Sequence, residues 1–213
     1  MNNSILLKQM LEASLMSLRI FFVTLLLSLP LGLLVAAGRR SRKKAIRLPV
    51  QLYILLMRGT PLMLQLLFLF YGLKPLTGIQ LDRVVAAETA FILNYAAYFA
   101  EIFRGGIDAV PRGQYEAAQV LGFSRHQTFF LIVLPQVCKM ILPPMSNEFI
   151  NLVKDTSLAQ VIGVTELLRV TSDWVSSSVS MMPFAVAAVF YLVMNAVVTR
   201  CFTAMEKRLN YYH

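Results

Sequence analysis

Polar and ionisable side chains interrupt two of the most apolar stretches of this 213-residue chain. The first set is spaced i, i+4 and i+7 and the second i, i+3 and i+7, so each set shares one face of a helix. Carboxylates can bind a cation, while amides and phenols form hydrogen bonds. An ionisable group inside a membrane costs about 2.5–3.5 kcal/mol on insertion scales, so these residues indicate a functional site. They are Asn94, Tyr98 and Glu101 in the first stretch, and Glu148, Asn151 and Asp155 with neighbouring Lys154 in the second.

The chain has no pattern typical of an enzyme or a metal protein. It contains no Ser/His/Asp set, no HExxH motif and no acidic pair at catalytic spacing. Cys138 and Cys201 form no CxxC motif or Cys/His cluster, and His126 and His213 lie far apart. We therefore expect no catalytic residue, no metal site and no cofactor in this chain.

The composition is that of a membrane protein. Hydrophobic residues make up 57% of the chain, charged residues 15%, and the mean hydropathy is +0.64. A soluble domain of this size cannot bury so much apolar surface, and runs of about 20 apolar residues are typical of membrane-spanning helices. The formal net charge of +9 raises the question of nucleic-acid binding. The basic residues cluster at the ends of apolar runs instead of covering a soluble face, which argues against that partner.

These features predict an all-α membrane protein with about five transmembrane helices. The expected spans are residues 15–38, 52–73, 84–103, 128–156 and 181–202, within a transmembrane domain of residues 15–205. Residues 1–14 are expected to form an interfacial segment, and residues 206–213 a cytoplasmic tail. Prolines 135, 143 and 144 each remove a backbone donor, so the fourth span should be bent or broken. Residues 157–180 are expected to form an outer segment, partly inserted as a gate.

The distribution of basic residues predicts the orientation of the chain. Cytoplasmic loops carry an excess of Lys and Arg. Five spans with the N-terminus outside and the C-terminus in the cytoplasm put most basic residues inside: the cluster at 39–47, then Arg104, Arg112 and Arg125, then Lys207 and Arg208. The loops assigned to the outside hold chiefly Lys74, Arg83 and Arg169. Charge and span count therefore agree.

A polar segment at residues 107–127 separates the third and fourth spans. Gly122 can end one short helix in a left-handed conformation. Ser124 can begin a second helix, with Gln127 three residues later completing a capping box. Taken by itself, this segment could also be an ordinary amphipathic interfacial helix.

Three sequence segments resemble those of a known family. The spacing of Glu116-Ala117-Ala118, Gly122 and the Ile-Val-Leu-Pro run at 132–135 resembles the cytoplasmic EAA coupling loop of type I ABC importer permeases. The Arg-Gly-Thr-Pro-Leu run at 58–62 and the Leu-Val-Lys-Asp-Thr-Ser-Leu run at 152–158 are similar to segments of the polar amino-acid permeases. Together with the spans, the resemblance covers nearly the whole chain.

The resemblance implies a permease subunit that translocates amino acids inward across the cell membrane. A separate cytoplasmic ABC ATPase dimer would bind ATP and contact the coupling residues Glu116, Ala117, Ala118 and Gly122. A second permease subunit, of the same or a related chain, would complete the pathway, and an extracytoplasmic binding protein would deliver the substrate. The chain itself would need neither bound ATP nor another cofactor.

An amino-acid substrate would give the intramembrane polar residues separate roles. A carboxylate such as Glu148 could hold the ammonium group, while Asn94, Asn151 and Tyr98 donate to the carboxylate. By depth along the helices, Glu101 lies nearer the cytoplasm, and Lys154 and Asp155 nearer the outside. Structural roles remain as alternatives: inter-helix hydrogen bonds for the Asn94 and Tyr98 side chains, and a Lys154–Asp155 ion pair at an outer gate.

The main functional alternative is an ion-gradient-coupled amino-acid transporter or channel. Such a protein needs no partner ATPase and hence no EAA coupling loop. An interaction scaffold would account for the spans but not for the polar faces within them.

Overall fold

The computed structural model describes residues 3–209, and helices dominate that range. Two π-helical turns (Phe68–Gly72 and Thr128–Val133) and a 3-10 turn (Thr156–Ile162) connect the α-helices. The predicted all-α fold class is confirmed. The α-helices are α1 Asn3–Arg39, α2 Lys44–Gly59, α3 Leu62–Leu67, α4 Leu73–Thr77, α5 Arg83–Asp108, α6 Arg112–Val120, α7 Arg125–Gln127, α8 Leu134–Asp155, α9 Leu167–Ser178 and α10 Met182–Leu209.

Several helical stretches have the length and composition needed to cross a membrane. Within the described range these are Ser4–Arg39, Arg125–Ile162 and Met182–Leu209, with a fourth if the bent pair Lys44–Gly59 and Leu62–Thr77 crosses as one span. Helix α5 has 26 residues and is about 39 Å long, which exceeds the hydrocarbon thickness of a bilayer. Helix α5 has a higher proportion of charged residues than the other candidate spans and is not among the apolar stretches named above. The count of five spans therefore stays a prediction.

Helix α1 differs from the expected arrangement at the N-terminus. It is continuous from Asn3 to Arg39, so the structure has no boundary near residue 14. The reason is packing: Leu6 and Met10 are fully buried in a cluster with Leu167 and Ala187, from the α9 and α10 region. Residues 4–14 therefore extend the first helix against the rest of the molecule.

The second predicted span, residues 52–73, is divided by a sharp bend of 108° between α2 and α3. Thr60 and Pro61 both have extended backbone conformations at this point. Proline supplies no amide hydrogen, and it disfavours the helical conformation of the residue before it. The bend therefore follows from the Thr60-Pro61 pair.

The fourth predicted span contains its irregular turn at its beginning. Helix α8 continues through Pro143 and Pro144, while the π-helical turn Thr128–Val133 lies immediately before Pro135. The Gln136 side chain donates to the Ile132 carbonyl oxygen at 2.9 Å, which supplies a partner near the irregular turn. The stretch Arg125–Ile162 is thus one continuous helical run, so the expected break at the prolines is absent, and its irregularity is limited to the π-helical turn before Pro135.

The polar segment forms two short helices, as predicted. Helix α6 ends in a Schellman motif: the Phe123 amide donates to the Ala118 carbonyl, and the Gly122 amide to that of Gln119. Gly122 has φ +80°, a conformation that glycine adopts without strain. Ser124 and Gln127 form the predicted capping box at α7. These two predictions are confirmed.

Helix α5 lies at the centre of the molecule and packs against α1, α2, α3 and α8. Its buried face is rich in alanine, which allows neighbouring helix backbones to approach closely. At Gly106 a Cβ atom would lie only 2.3 Å from the Ile141 side chain of α8. Close packing on α5 fixes the relative positions of the helices that form the site.

A buried carboxylate, that of Glu166, caps the N-terminus of α9. Glu166 is fully buried and accepts hydrogen bonds from the backbone amides of Leu168 (2.8 Å) and Arg169 (2.7 Å) at the start of α9. Tyr191 of α10 donates to the same carboxylate at 3.4 Å. Burial raises the pKa of Glu166 to about 7, although these hydrogen bonds favour its ionised form.

Candidate functional site

A cavity of about 560 Å³ lies where the α2–α3 bend, α5 and α8 meet. This volume is typical of a small-molecule site. The cavity is lined by Arg58, Gly59, Thr60, Pro61 and Leu62 from the bend, Asn94, Tyr95 and Tyr98 from α5, Glu148, Asn151 and Asp155 from α8, and Leu158 from the turn that follows. Five of the seven predicted substrate contacts therefore surround one space.

A side-chain amide network holds the bend that forms one wall. The Gln65 amide nitrogen donates to the Met57 carbonyl (3.0 Å), the Thr60 carbonyl (3.2 Å) and the Thr60 hydroxyl (2.9 Å). The Asn94 amide nitrogen donates to the Met57 carbonyl (2.9 Å) and to the Gln65 amide oxygen (3.0 Å). Asn94 is buried, and both hydrogens of its amide have partners. Asn94 thus fixes the position of the bend, and its role as a substrate donor stays a prediction.

Arg58 supplies the positive charge of the cavity. Its guanidinium lies over the Tyr98 ring, 5.1 Å from the centroid, in a cation–π contact. One of its nitrogens is 3.7 Å from the Glu101 carboxylate. The sequence patterns did not identify Arg58 as a site residue. A signal was nevertheless present, because a basic residue immediately precedes the Gly-Thr-Pro interruption of an apolar run.

Helix α8 supplies the negative charge of the cavity. Glu148, Asn151 and Asp155 face it from successive turns. The Asp155 carboxylate accepts a hydrogen bond from the Tyr95 hydroxyl at 2.7 Å. Among residues 3–209, the Glu148 side chain has neither a hydrogen bond nor an ion pair. Tyr95 was also missed from the sequence, because it follows Asn94 directly and so falls outside the i, i+4 pattern.

Two predicted site residues lie elsewhere. The Glu101 carboxylate binds Arg104 at 2.8 Å and is 3.7 Å from both Arg39 and Arg58. It lines an adjoining cavity of about 580 Å³, which shares Arg58, Gly59 and Tyr98 with the first. Lys154 is exposed and does not line the cavity, and the described structure contains no ion pair between it and Asp155. Their proposed contact with substrate stays a prediction.

The predicted coupling residues lie together on and beside α6. Glu116 and Ala117 are exposed, Ala118 is buried, and Gly122 forms the turn. Two apolar side chains at the end of the helix project into open space, with Val120 87% and Leu121 73% exposed. The helix therefore presents a carboxylate and an apolar tip on the same short element. Their contact with an ATPase stays a prediction.

Residues 28–211 match the family described as the binding-protein-dependent transport system inner membrane component. The chain belongs to this family. It is 39% identical over 200 residues to the octopine transport system permease protein of Rhizobium radiobacter, covering 90% of this chain and 81% of that protein. It is 37% identical over 184 residues to the L-cystine transport system permease protein of Bacillus subtilis, covering 85% and 78%.

Solved structures confirm the fold of the permease. A chain from the crystal structure of an amino acid ABC transporter with histidines superposes with a TM-score of 0.87 at 33% identity, covering 94% of each chain. A chain of the MetNI methionine ABC transporter gives a TM-score of 0.72 at 15% identity, which supports the fold alone. The predicted membership of the type I ABC importer permeases is thus confirmed. A permease subunit of this family is a multi-pass inner-membrane component and is not itself catalytic.

Proposed function

We propose that this permease moves amino acids inward across the membrane, with the 560 Å³ cavity as their binding site. The observation that carries the proposal is the placement of one guanidinium, Arg58, opposite two carboxylates, Glu148 and Asp155. A free amino acid carries a carboxylate and an ammonium on one carbon, so it complements both signs of charge. Proteins described as octopine, L-cystine and arginine permeases are among the relatives of this chain.

The side chains have distinct roles in this proposal. Arg58 binds the substrate carboxylate, because a guanidinium can donate two parallel hydrogen bonds to it. A carboxylate of α8 holds the ammonium, and Asn151 hydrogen-bonds the substrate between them. Tyr98 supports the Arg58 guanidinium through its ring. Asn94 contributes by fixing the wall on which Arg58 stands.

The proposed partners contact surfaces of the permease outside the cavity. Helix α6 docks in a groove of a cytoplasmic ABC ATPase, where the Val120–Leu121 tip becomes buried and Glu116 accepts charge-assisted hydrogen bonds. Two such ATPases power the transporter, a second permease subunit completes the pathway, and an extracytoplasmic protein delivers substrate. The N-terminus lies outside and the C-terminus in the cytoplasm, as the basic residues indicate. Family membership favours this ATP-driven importer over the ion-gradient-coupled alternative.

The test is transport by the complete complex in proteoliposomes. We expect uptake of a labelled amino acid that requires ATP on the ATPase side. Arg58→Gln should lower uptake at least about tenfold, since a hydrogen bond to a charged group contributes about 1.5–3 kcal/mol. Arg42→Gln, which alters an exposed arginine outside the cavity, is the matched control.

Two results would contradict the proposal. If a proton or sodium gradient drives uptake without the ATPase, the alternative transporter mechanism is correct. If Arg58→Gln transports like wild type, Arg58 has no part in the site.

A further inference from the structure

We infer that the cavity is specific for amino acids whose side chain is itself cationic, with a guanidinium or ammonium group of the arginine or lysine type. The inference rests on the proposed function, since it takes the same cavity as the substrate site. It adds the chemical class of the substrate, which the charges of the lining determine.

The lining carries an excess of negative charge. Its charged side chains are Arg58, Glu148 and Asp155, so one positive and two negative groups leave a formal charge of −1. The nearby Glu101 does not cancel the charge of Arg58. Its carboxylate lies 3.7 Å from Arg58 and equally 3.7 Å from Arg39, but it binds Arg104 more closely, at 2.8 Å, so its charge is shared among three arginines. The guanidinium of Arg58 thus remains available to a substrate carboxylate.

Neither carboxylate of α8 forms an ion pair with a basic side chain in the described structure. Asp155 accepts its hydrogen bond from Tyr95, which is a neutral donor. The Lys154 side chain is exposed, and it forms no ion pair with Asp155 in the described structure. Glu148 forms neither a hydrogen bond nor an ion pair among residues 3–209. Two acidic groups therefore face one cavity, and neither is held in an ion pair within the described residues.

A zwitterionic substrate with a neutral side chain can satisfy only one of them. Its carboxylate pairs with Arg58 and its single ammonium pairs with one carboxylate, which leaves the other charge unpaired at membrane depth, where it is unfavourable. A second cation on the substrate would pair with the carboxylate that otherwise remains unpaired. An acidic side chain would instead add a like charge and be repelled.

The positions of the two carboxylates suit a long substrate. Glu148 and Asp155 are seven residues apart on α8, about 10.5 Å along the helix axis, so they lie at two levels of the cavity. One can hold the α-ammonium while the other holds the cation at the end of the side chain. Leu62, Pro61 and Leu158 provide apolar lining for the intervening methylene groups.

The experiment measures binding to the permease itself. The assembled permease–ATPase complex is placed in lipid nanodiscs without its binding protein, whose own specificity would otherwise dominate. Arginine, lysine, glutamine and glutamate are titrated in turn by calorimetry. We expect arginine or lysine to bind at least about tenfold more tightly than glutamine, because an additional hydrogen-bonded ion pair contributes about 1.5–3 kcal/mol. Glutamate should bind most weakly.

Two variants assign the positions of the charges. Glu148→Gln and Asp155→Asn each should weaken arginine binding by about tenfold or more. One carboxylate pairs with the side-chain cation of arginine, and its substitution should leave the affinity for glutamine within about twofold of wild type. The other carboxylate pairs with the α-ammonium, and its substitution should weaken the binding of both arginine and glutamine. The matched control is Glu12→Gln, an exposed position outside the cavity. Co-purification of the ATPase with each variant shows that the complex is intact.

The possible outcomes separate this inference from the proposed function. If glutamine or glutamate binds as tightly as arginine and lysine, the inference is wrong while the amino-acid site stands. If both variants leave the arginine-to-glutamine ratio unchanged, the acidic pair does not determine specificity and the inference is also wrong. If no amino acid binds, both the inference and the proposed site are wrong.

Discussion

The amide network at the α2–α3 bend provides the sharpest test of how this site is built. Asn94 can act in two ways: it can contact the substrate, as the sequence suggested, or position the wall that carries Arg58. The structure favours positioning, because both hydrogens of the Asn94 amide are directed to Met57 and Gln65. The substitution Asn94→Leu keeps a similar volume and removes both hydrogen bonds.

The expected loss follows from the number of bonds. Two hydrogen bonds at about 0.5–1.5 kcal/mol each amount to about 1–3 kcal/mol. If substrate binding must restore the geometry of the bend, affinity falls by the same amount, about 5- to 150-fold. Gln65→Leu removes the other half of the network and should produce a loss of similar size.

A double-mutant cycle distinguishes the two roles of Asn94. If Asn94 acts through Gln65, the Asn94→Leu/Gln65→Leu double variant should bind only slightly more weakly than either single variant, with a coupling free energy of at least about 1 kcal/mol. Direct contact between Asn94 and the substrate predicts additive losses, within about 0.3–0.5 kcal/mol. Affinity is measured in nanodiscs with the best-bound amino acid of the panel. Thr89→Val, on the same helix but outside the cavity, is the control, and additivity would refute the positioning role.

Two further predictions concern regions outside the cavity. Glu116→Lys reverses the charge presented by α6, so at least about tenfold less ATPase should co-purify with the permease. The control Glu206→Lys, in the exposed C-terminal part of α10, should not reduce the amount of co-purified ATPase. An undiminished yield of ATPase from Glu116→Lys would contradict the coupling role. Burial raises the pKa of Glu166 from 4.5 to about 7, so the folded state holds more protons between these values. Stability should therefore be greatest below pH 4.5 and fall as the pH rises to about 7. Thermal unfolding across this range should show that slope in wild type and lose it in Glu166→Gln, while a flat wild-type profile would be inconsistent with the raised pKa.

Local sequence rules predicted the features that depend on neighbouring residues. The Ser124–Gln127 capping box and the left-handed Gly122 need only a few adjacent residues, and both are present. Helical spacing likewise identified Glu148, Asn151 and Asp155 as one face of α8, and the structure places that face on the cavity. These features depend on periodicity and backbone conformation, which the sequence contains directly.

Partners that are distant in the chain could not be obtained in this way. The Asn94 amide donates to the carbonyl of Met57, 37 residues away, and Tyr95 takes the place expected for Lys154 as the partner of Asp155. Both depend on where α5 packs against the bend and α8. The 108° bend also turns Arg58 toward Tyr98, and no periodic pattern encodes that direction. The sequence thus indicated which residues are polar and which face they share, but not which of them already have hydrogen-bond partners within the protein.

The proposed coupling helix and the cavity are connected by a short mechanical path. The Gln136 side chain near the start of α8 approaches Gln114 of α6 at 3.4 Å and also donates to the Ile132 carbonyl in the π-helical turn. From Gln136 to Glu148 is twelve residues of one continuous helix, about 18 Å. A displacement of α6 by a partner would therefore reach the cavity through a rigid element, with the π-helical turn as the place where backbone geometry can adjust. The same helix would then carry both the motion from the ATPase and the carboxylates that release the substrate.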